Sequence, residues 1–127
     1  MLDPCAAIYG AVTNLRNRAY DSGLFESTRV TLPVVSIGNL VVGGSGKSPF
    51  TAYTCEKLLA LGRAPVILMR GYGGSDPGPL LVNSDCSPER AGDEAVMHYE
   101  CFQGNVPVVV SRRRVDGQRS RASVFLA

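Results

Sequence analysis

The residues best suited to chemistry lie in one short stretch, Gly43-Gly44-Ser45-Gly46-Lys47-Ser48. Glycines let the backbone turn tightly, so that successive N–H groups point inward and can hold phosphate oxygens. A helix starting just afterwards would add the positive end of its dipole to the same spot. Lys47 could then reach the β- and γ-phosphates of a nucleoside triphosphate, and the Ser48 hydroxyl could bind Mg²⁺. Pro49 suits a first helical turn, where a missing N–H leaves no acceptor unpaired. The strict GxxxxGK[ST] pattern is not met, because Val41 stands five positions before Gly46. A flexible glycine turn before a helix is the plain alternative. A dinucleotide fingerprint fits less well, since no GxGxxG occurs and Lys47 belongs to the triphosphate pattern.

Such a loop works only between a strand and a helix, and the surrounding sequence predicts both. Pro33-Val-Val-Ser-Ile37 is short and β-branched, as buried parallel strands are. A helix is predicted from Ser48 to about Leu61, with Gly62 placed to end it. Ala64–Met69 reads as a second strand and 70–89 as a long loop. A helix over Arg90 to Phe102 and a strand over Val106–Val110 follow. The last segment, Ser111 to Ala127, reads as a loop or helix and then the apolar run Val124–Leu126. Strands alternating with helices predict βαβ units and a mostly parallel sheet, with the first three strands as parallel neighbours.

Before the first strand, Asp3 to Tyr20 has helical spacing in Ile8, Val12, Leu15 and Ala19, with Arg16 and Arg18 on other faces. Packing against the domain and seating on anionic lipid both suit this stripe. Residues 1–31 read as an N-terminal helical segment suited to membrane association, and 32–127 as a P-loop domain. No apolar run is long enough to span a bilayer, and no signal peptide is visible.

Thirteen Lys+Arg against eleven Asp+Glu give a net charge of +2, too small to imply a nucleic-acid partner. Arg112, Arg113, Arg114, Arg119 and Arg121 nevertheless cluster, which suits a solvated helix face, an anionic ligand or a membrane surface. A hydrophobic content of 45% places the chain among globular proteins rather than disordered ones. Cys5, Cys55, Cys86 and Cys101 form no CxxC pair and no metal spacing with His98, which reads as scattered thiols in a reducing compartment. Asp93 suits a first helical turn through the dipole and equally suits a base beside an attacking hydroxyl. His98, five positions beyond Asp93, reads as a packing residue.

Four ordered motifs make the sequence resemble the tetraacyldisaccharide 4'-kinases: Pro33–Leu40 with Gly43–Pro49, Arg70-Gly-Tyr-Gly-Gly74, Ala91-Gly-Asp-Glu94 and Val108-Val-Val-Ser-Arg112. Tyr20–Phe25 is similar to the family's link between helix and core. The resemblance implies an α/β, P-loop NTPase-like three-layer fold with a mostly parallel sheet. It implies transfer of the ATP γ-phosphate to the 4'-hydroxyl of a lipid A disaccharide precursor, at the cytoplasmic face of the bacterial inner membrane. ATP and Mg²⁺ are the implied cofactors. Gly43, Gly44, Ser45, Gly46, Lys47 and Ser48 would bind the nucleotide, with Ser48 and Glu94 on the metal. Asp93 would match the acidic residue that helps deprotonate the sugar hydroxyl, and Arg70, Tyr72 and Arg112 would face the disaccharide.

The family continues with an Asp-Asp-Gly-Phe-Gln-His type motif after a strand resembling Ser123–Leu126. This sequence is accordingly expected to hold a truncated domain that binds nucleotide weakly and transfers phosphate barely above background. A non-catalytic nucleotide-binding remnant and another P-loop small-molecule kinase or GTPase are the alternatives. A base-reading motif such as NKxD would favour the second, and the sequence has none.

Overall fold

The structure, a computed structural model, describes residues 4–25, 32–38, 46–113 and 124–126. In chain order these form α1 (Pro4–Asp21), β1 (Val34–Val35), α2 (Lys47–Ala60), β2 (Pro65–Met69), β3 (Leu80–Leu81), α3 (Pro88–Ala91), α4 (Asp93–Cys101), β4 (Val108–Val110) and β5 (Val124–Leu126). The strands make one sheet in the order β1-β5-β2-β4-β3, an α/β arrangement of the P-loop type. β2 runs parallel to both β4 and β5, with Ile67 opposite Val108 and Val66 opposite Phe125; β1 runs parallel to β5, with Val34 opposite Phe125.

Two expectations need correction here. The first strand does not neighbour the second, because β5 lies between them. The loop expected over 70–89 also contains a strand, β3, which pairs antiparallel with β4 through Leu80 and Val110. Val82 extends that pairing, its N–H donating to the Val108 carbonyl at 2.9 Å.

β2 is buried along almost its whole length, and its alternate side chains serve two faces. Ile67 joins Val108, Val110, Cys55, Ala91, Ala95 and Phe102 in the larger core, where helices α2 and α4 pack on the sheet. Val66 and Leu68 meet Val109 and Leu32 on the opposite face. This explains the near-continuous apolar sequence of the central strands: neither face can carry a polar side chain. Cys55 and Cys86 are buried free thiols and Cys101 an exposed one. Burial, then the neighbouring Cys101 and Glu56, push the Cys55 thiol up to about 11.

The helix expected over Arg90 to Phe102 is two helices. Gly92 interrupts it with φ at 91°, and a β-carbon there would lie 2.7 Å from the Tyr72 carbonyl oxygen. A side chain therefore fits neither the backbone conformation nor the space. The break makes Asp93 and Glu94 the first residues of a new helix, where the dipole favours negative charge.

Helix α1 runs close to its expected bounds. Its Ile8, Tyr9, Val12 and Leu15 are all exposed, Leu15 at 73%. Among the described residues no helix is long and apolar enough to cross a membrane.

Candidate functional site

Three strands send their C-terminal ends toward one edge of the sheet, where α/β folds bind their ligands. β1 leads to that edge and α2 leaves it, so Gly46, Lys47 and Ser48 sit where the sequence places a phosphate loop. Gly43, Gly44 and Ser45 lie outside the described residues. Gly46 precedes the helix in a left-handed conformation, φ 73°, and its carbonyl accepts the Phe50 N–H at 3.1 Å. Lys47 and Ser48 are thus the first two helical residues, beside N–H groups with no intrahelical acceptor.

The second helix start arrives at the same place. Ser48 Oγ donates a short hydrogen bond to Glu94 Oε1, across 46 positions of sequence. Helix α4 packs against α2, and the Gly92 break turns its first residues toward the loop edge. Glu94 and Lys47 both line a cavity of about 280 Å³, with Ile37, Thr51, Arg70 and Tyr72 among its other walls. Asp93 is exposed at the first position of α4, immediately before Glu94.

A second recess of about 310 Å³ adjoins this cavity and shares Arg70, Gly71 and Tyr72 with it. Gly73, Gly74 and Arg112 complete its lining. Arg70 Nη1 donates to Tyr72 Oη at 3.4 Å, and Tyr72 is 79% exposed. The loop carrying both residues is fixed at its base. Gly71 approaches Val110 so closely that a β-carbon would lie 2.2 Å from Val110 Cγ1. The backbone N–H groups of Ser75 and Asp76 donate to the carbonyls of Glu89 and Arg90, at 2.9 and 3.2 Å. Asp76 then accepts from the Gly78 N–H at 2.9 Å and from Arg90 Nε at 3.1 Å. Those two donors, the Gly78 N–H foremost, hold its carboxyl below the usual carboxylate range.

The structure thus gathers Lys47, Glu94, Arg70 and Tyr72 around one cavity, ties Ser48 to it through Glu94, and sets Arg112 in the adjoining recess. Sequence reasoning missed Thr51 and His98 as cavity residues. Thr51 follows Lys47 by four positions and so shares its helix face, a signal open to the periodicity argument. His98 is indeed buried, but it also borders the cavity. The spacing that matters runs from Glu94, four positions earlier, rather than from Asp93. Burial holds the His98 imidazole below its ordinary value, against the opposing pull of the Glu94 charge.

The donor set suits a hard cation. Ser48 and Glu94 present two oxygens side by side, and Mg²⁺ is commonly held by one or two protein oxygens plus phosphates and water. Among the described residues no cluster of three or more His, Cys, Asp or Glu could hold a metal by itself. A lysine and a serine opening a helix at the C-terminal edge of a parallel sheet, met by an acid from a neighbouring helix start, define an α/β protein of the P-loop type.

Comparison with known proteins gives the particular family. The family model described as tetraacyldisaccharide-1-P 4'-kinase matches residues 1–124. The tetraacyldisaccharide 4'-kinase of Psychromonas ingrahamii is 38% identical over 128 residues, covering 100% of this chain and 39% of the relative. That of Afipia carboxidovorans is 42% identical over 130 residues, covering 99% of this chain and 36% of the relative. Among solved structures, the "apo" form of LpxK from Aquifex aeolicus in complex with ATP superposes with a TM-score of 0.82 at 35% identity. That match covers 97% of this chain and 41% of that one. The chain belongs to the tetraacyldisaccharide-1-P 4'-kinase family, and it spans less than half the length of these relatives.

Proposed function

We propose that this chain supplies the ATP-binding and acceptor-facing half of a tetraacyldisaccharide 4'-kinase site. The observation that carries the reading is the Ser48–Glu94 hydrogen bond, which joins the phosphate-loop helix to the acid-bearing helix over a cavity that Lys47 also lines. The solved relative in complex with ATP supports the choice of nucleotide.

In this mechanism the α2 N-terminus and the Lys47 ammonium hold the β- and γ-phosphates, while Ser48 and Glu94 are the residues that would hold Mg²⁺. When bound, the cation neutralises charge on the transferring group. Asp93 takes the proton of the sugar 4'-hydroxyl as that oxygen forms its bond to the γ-phosphorus. The bond between the γ-phosphorus and the bridging oxygen breaks, and ADP leaves with the electron pair. Arg70, Tyr72 and Arg112 hold the disaccharide; their two guanidinium groups suit an anionic substituent on it.

Residues 1–31 serve in this reading as the membrane-associating segment. The exposed Ile8, Val12 and Leu15 of α1 support this as an apolar surface for lipid, and a peripheral position at the cytoplasmic face of the inner membrane belongs to the same reading.

The test is radiolabelled phosphate transfer from ATP to a tetraacylated disaccharide, by a protein containing this chain. Asp93→Ala should lower kcat at least a hundredfold, roughly the contribution of a positioned base, with little change in ATP affinity. Undiminished transfer by that variant would remove Asp93 from the mechanism.

A further inference from the structure

His98 is the single histidine of the chain and is 1% exposed. Its Nδ1 has no hydrogen-bond partner among the described residues. A buried ring nitrogen without a partner is unfavourable, and an apolar side chain would fill the same space without that penalty. The surroundings are apolar on the core side, where Ala91, Ala95 and Ile67 lie, yet the imidazole also borders the main cavity.

Three polar residues meet there. Glu94 precedes His98 by one helical turn, and helical side chains lean toward the N-terminus, so the imidazole leans toward the Glu94 turn. One Glu94 oxygen accepts from Ser48, which leaves the other oxygen with acceptor capacity. Thr51 contributes a hydroxyl-bearing wall to the same cavity. A buried water needs about two to four polar partners and roughly 30 Å³, and this polar corner supplies both.

We propose that His98 is a positioning residue, which holds a water against the Glu94 carboxylate and thereby fixes that carboxylate beside Ser48. The imidazole touches neither nucleotide nor acceptor. It acts through Glu94, in the way a hydrogen-bonded outer partner orients a metal-ligating side chain. The consequence for Mg²⁺ rests on the nucleotide reading given above; the link between His98 and Glu94 does not.

Two measurements separate those parts. Because the chain has one histidine, labelled imidazole gives one assignable pair of ¹⁵N resonances in the ligand-free protein. Glu94→Gln should move the Nδ1 resonance, and an unmoved resonance overturns the proposal whether or not nucleotide binds. The second measurement follows ATP binding as Mg²⁺ is varied. His98→Leu, similar in bulk and free of the unpaired nitrogen, should keep the thermal stability of the parent at pH 8, where the imidazole is neutral in both folded and unfolded chains. It should nevertheless raise the Mg²⁺ needed for half-maximal ATP binding roughly tenfold, the scale of lost outer-partner contacts. His98→Asn, which places an amide near the Nδ1 position, should return it to within about twofold of the parent, a difference small beside that tenfold loss. A leucine variant with parental Mg²⁺ dependence, or an asparagine variant no better than leucine, would leave His98 a packing residue only. If the parent chain binds no ATP at any Mg²⁺ concentration, the nucleotide reading fails, and the resonance measurement alone decides the role of His98.

Discussion

Lys47 and Lys57 lie on the same helix, ten positions apart, and only the first stands at the anion site. Lys57 is in the last turn of α2, with Nζ 5.1 Å from the centroid of the Tyr53 ring. Replacing Lys47 with alanine should weaken Mg²⁺-ATP binding by about 1.5–3 kcal/mol, the scale of a charge-assisted hydrogen bond. Lys57→Ala should leave binding within the error of a calorimetric titration, and equal losses in the two variants would deny Lys47 a phosphate role. The Gly-Lys-Ser triplet made this residue legible in the sequence, because local chemistry and local geometry coincide there. His98 was legible only in part. Its burial follows from its place three positions after Ala95, on the face of α4 that meets the core, but its nearness to Glu94 is a relation the spacing from Asp93 concealed. The Ser48–Glu94 contact was further out of reach, since nothing in either segment's own pattern says that the two helix starts meet.

The elements depend on a few close approaches of backbone to backbone. Gly92 separates α3 from α4 and lies against the Tyr72 carbonyl, so one residue sets both where Asp93 falls on its helix and where the Arg70–Gly74 loop rests. Gly92→Ala should destabilise the chain by about 1–3 kcal/mol through backbone strain, before any clash is counted. Gly10→Ala in α1, where an added β-carbon meets nothing within 4 Å, should be neutral or stabilising by up to about 1 kcal/mol. Urea melts of the two variants would show the contrast, and similar midpoints would mean that the Gly92 turn is not constrained as described.

Asp76 ties the same loop to α3 and makes it sensitive to acid. Its folded pKa is lowered by the Gly78 N–H and by Arg90, so its contribution is complete above the ordinary carboxylate range. That contribution disappears as pH falls through the lowered folded value. Asp76→Asn should therefore flatten the acid limb of thermal stability while changing it little at pH values below the lowered folded value. β3 went unread because two residues beside Gly78 and Pro79 carry no period, and the break at Gly92 because a helical pattern on both sides hides a positive φ.

For the whole molecule, alternation of strands and helices made the class of fold legible and left the order of strands open. Short β-branched segments announce a strand without announcing its neighbour, and β1, read as buried, carries Val34 and Val35 exposed. The buried His98 adds a global pH dependence. Its pKa is depressed in the folded state, so the unfolded chain takes up a proton first as pH falls through about 6.5, the ordinary histidine value. Stability should decline through that point and level off below the folded value, with the Glu94 charge reducing the effect. A His98→Leu chain should lose that part of the decline in thermal melts between pH 8 and 5. Identical profiles for the two proteins would mean that the imidazole is not held in its buried neutral form.

The position of β5 has a consequence for synthesis. β1 hydrogen-bonds to β5, and β5 is formed by Val124–Leu126, long after β1 in the chain. As the polypeptide leaves the ribosome, β2, α4, β4 and β3 can begin to pack on one another from segments that emerge close together. The strand that leads into the phosphate loop has no place in the sheet until the third parallel partner follows. Non-local pairing of this kind is slow, and it leaves a strand edge open while it waits. Nucleotide capture should therefore wait until β5 has emerged, and chaperones would meet β1 before ATP does.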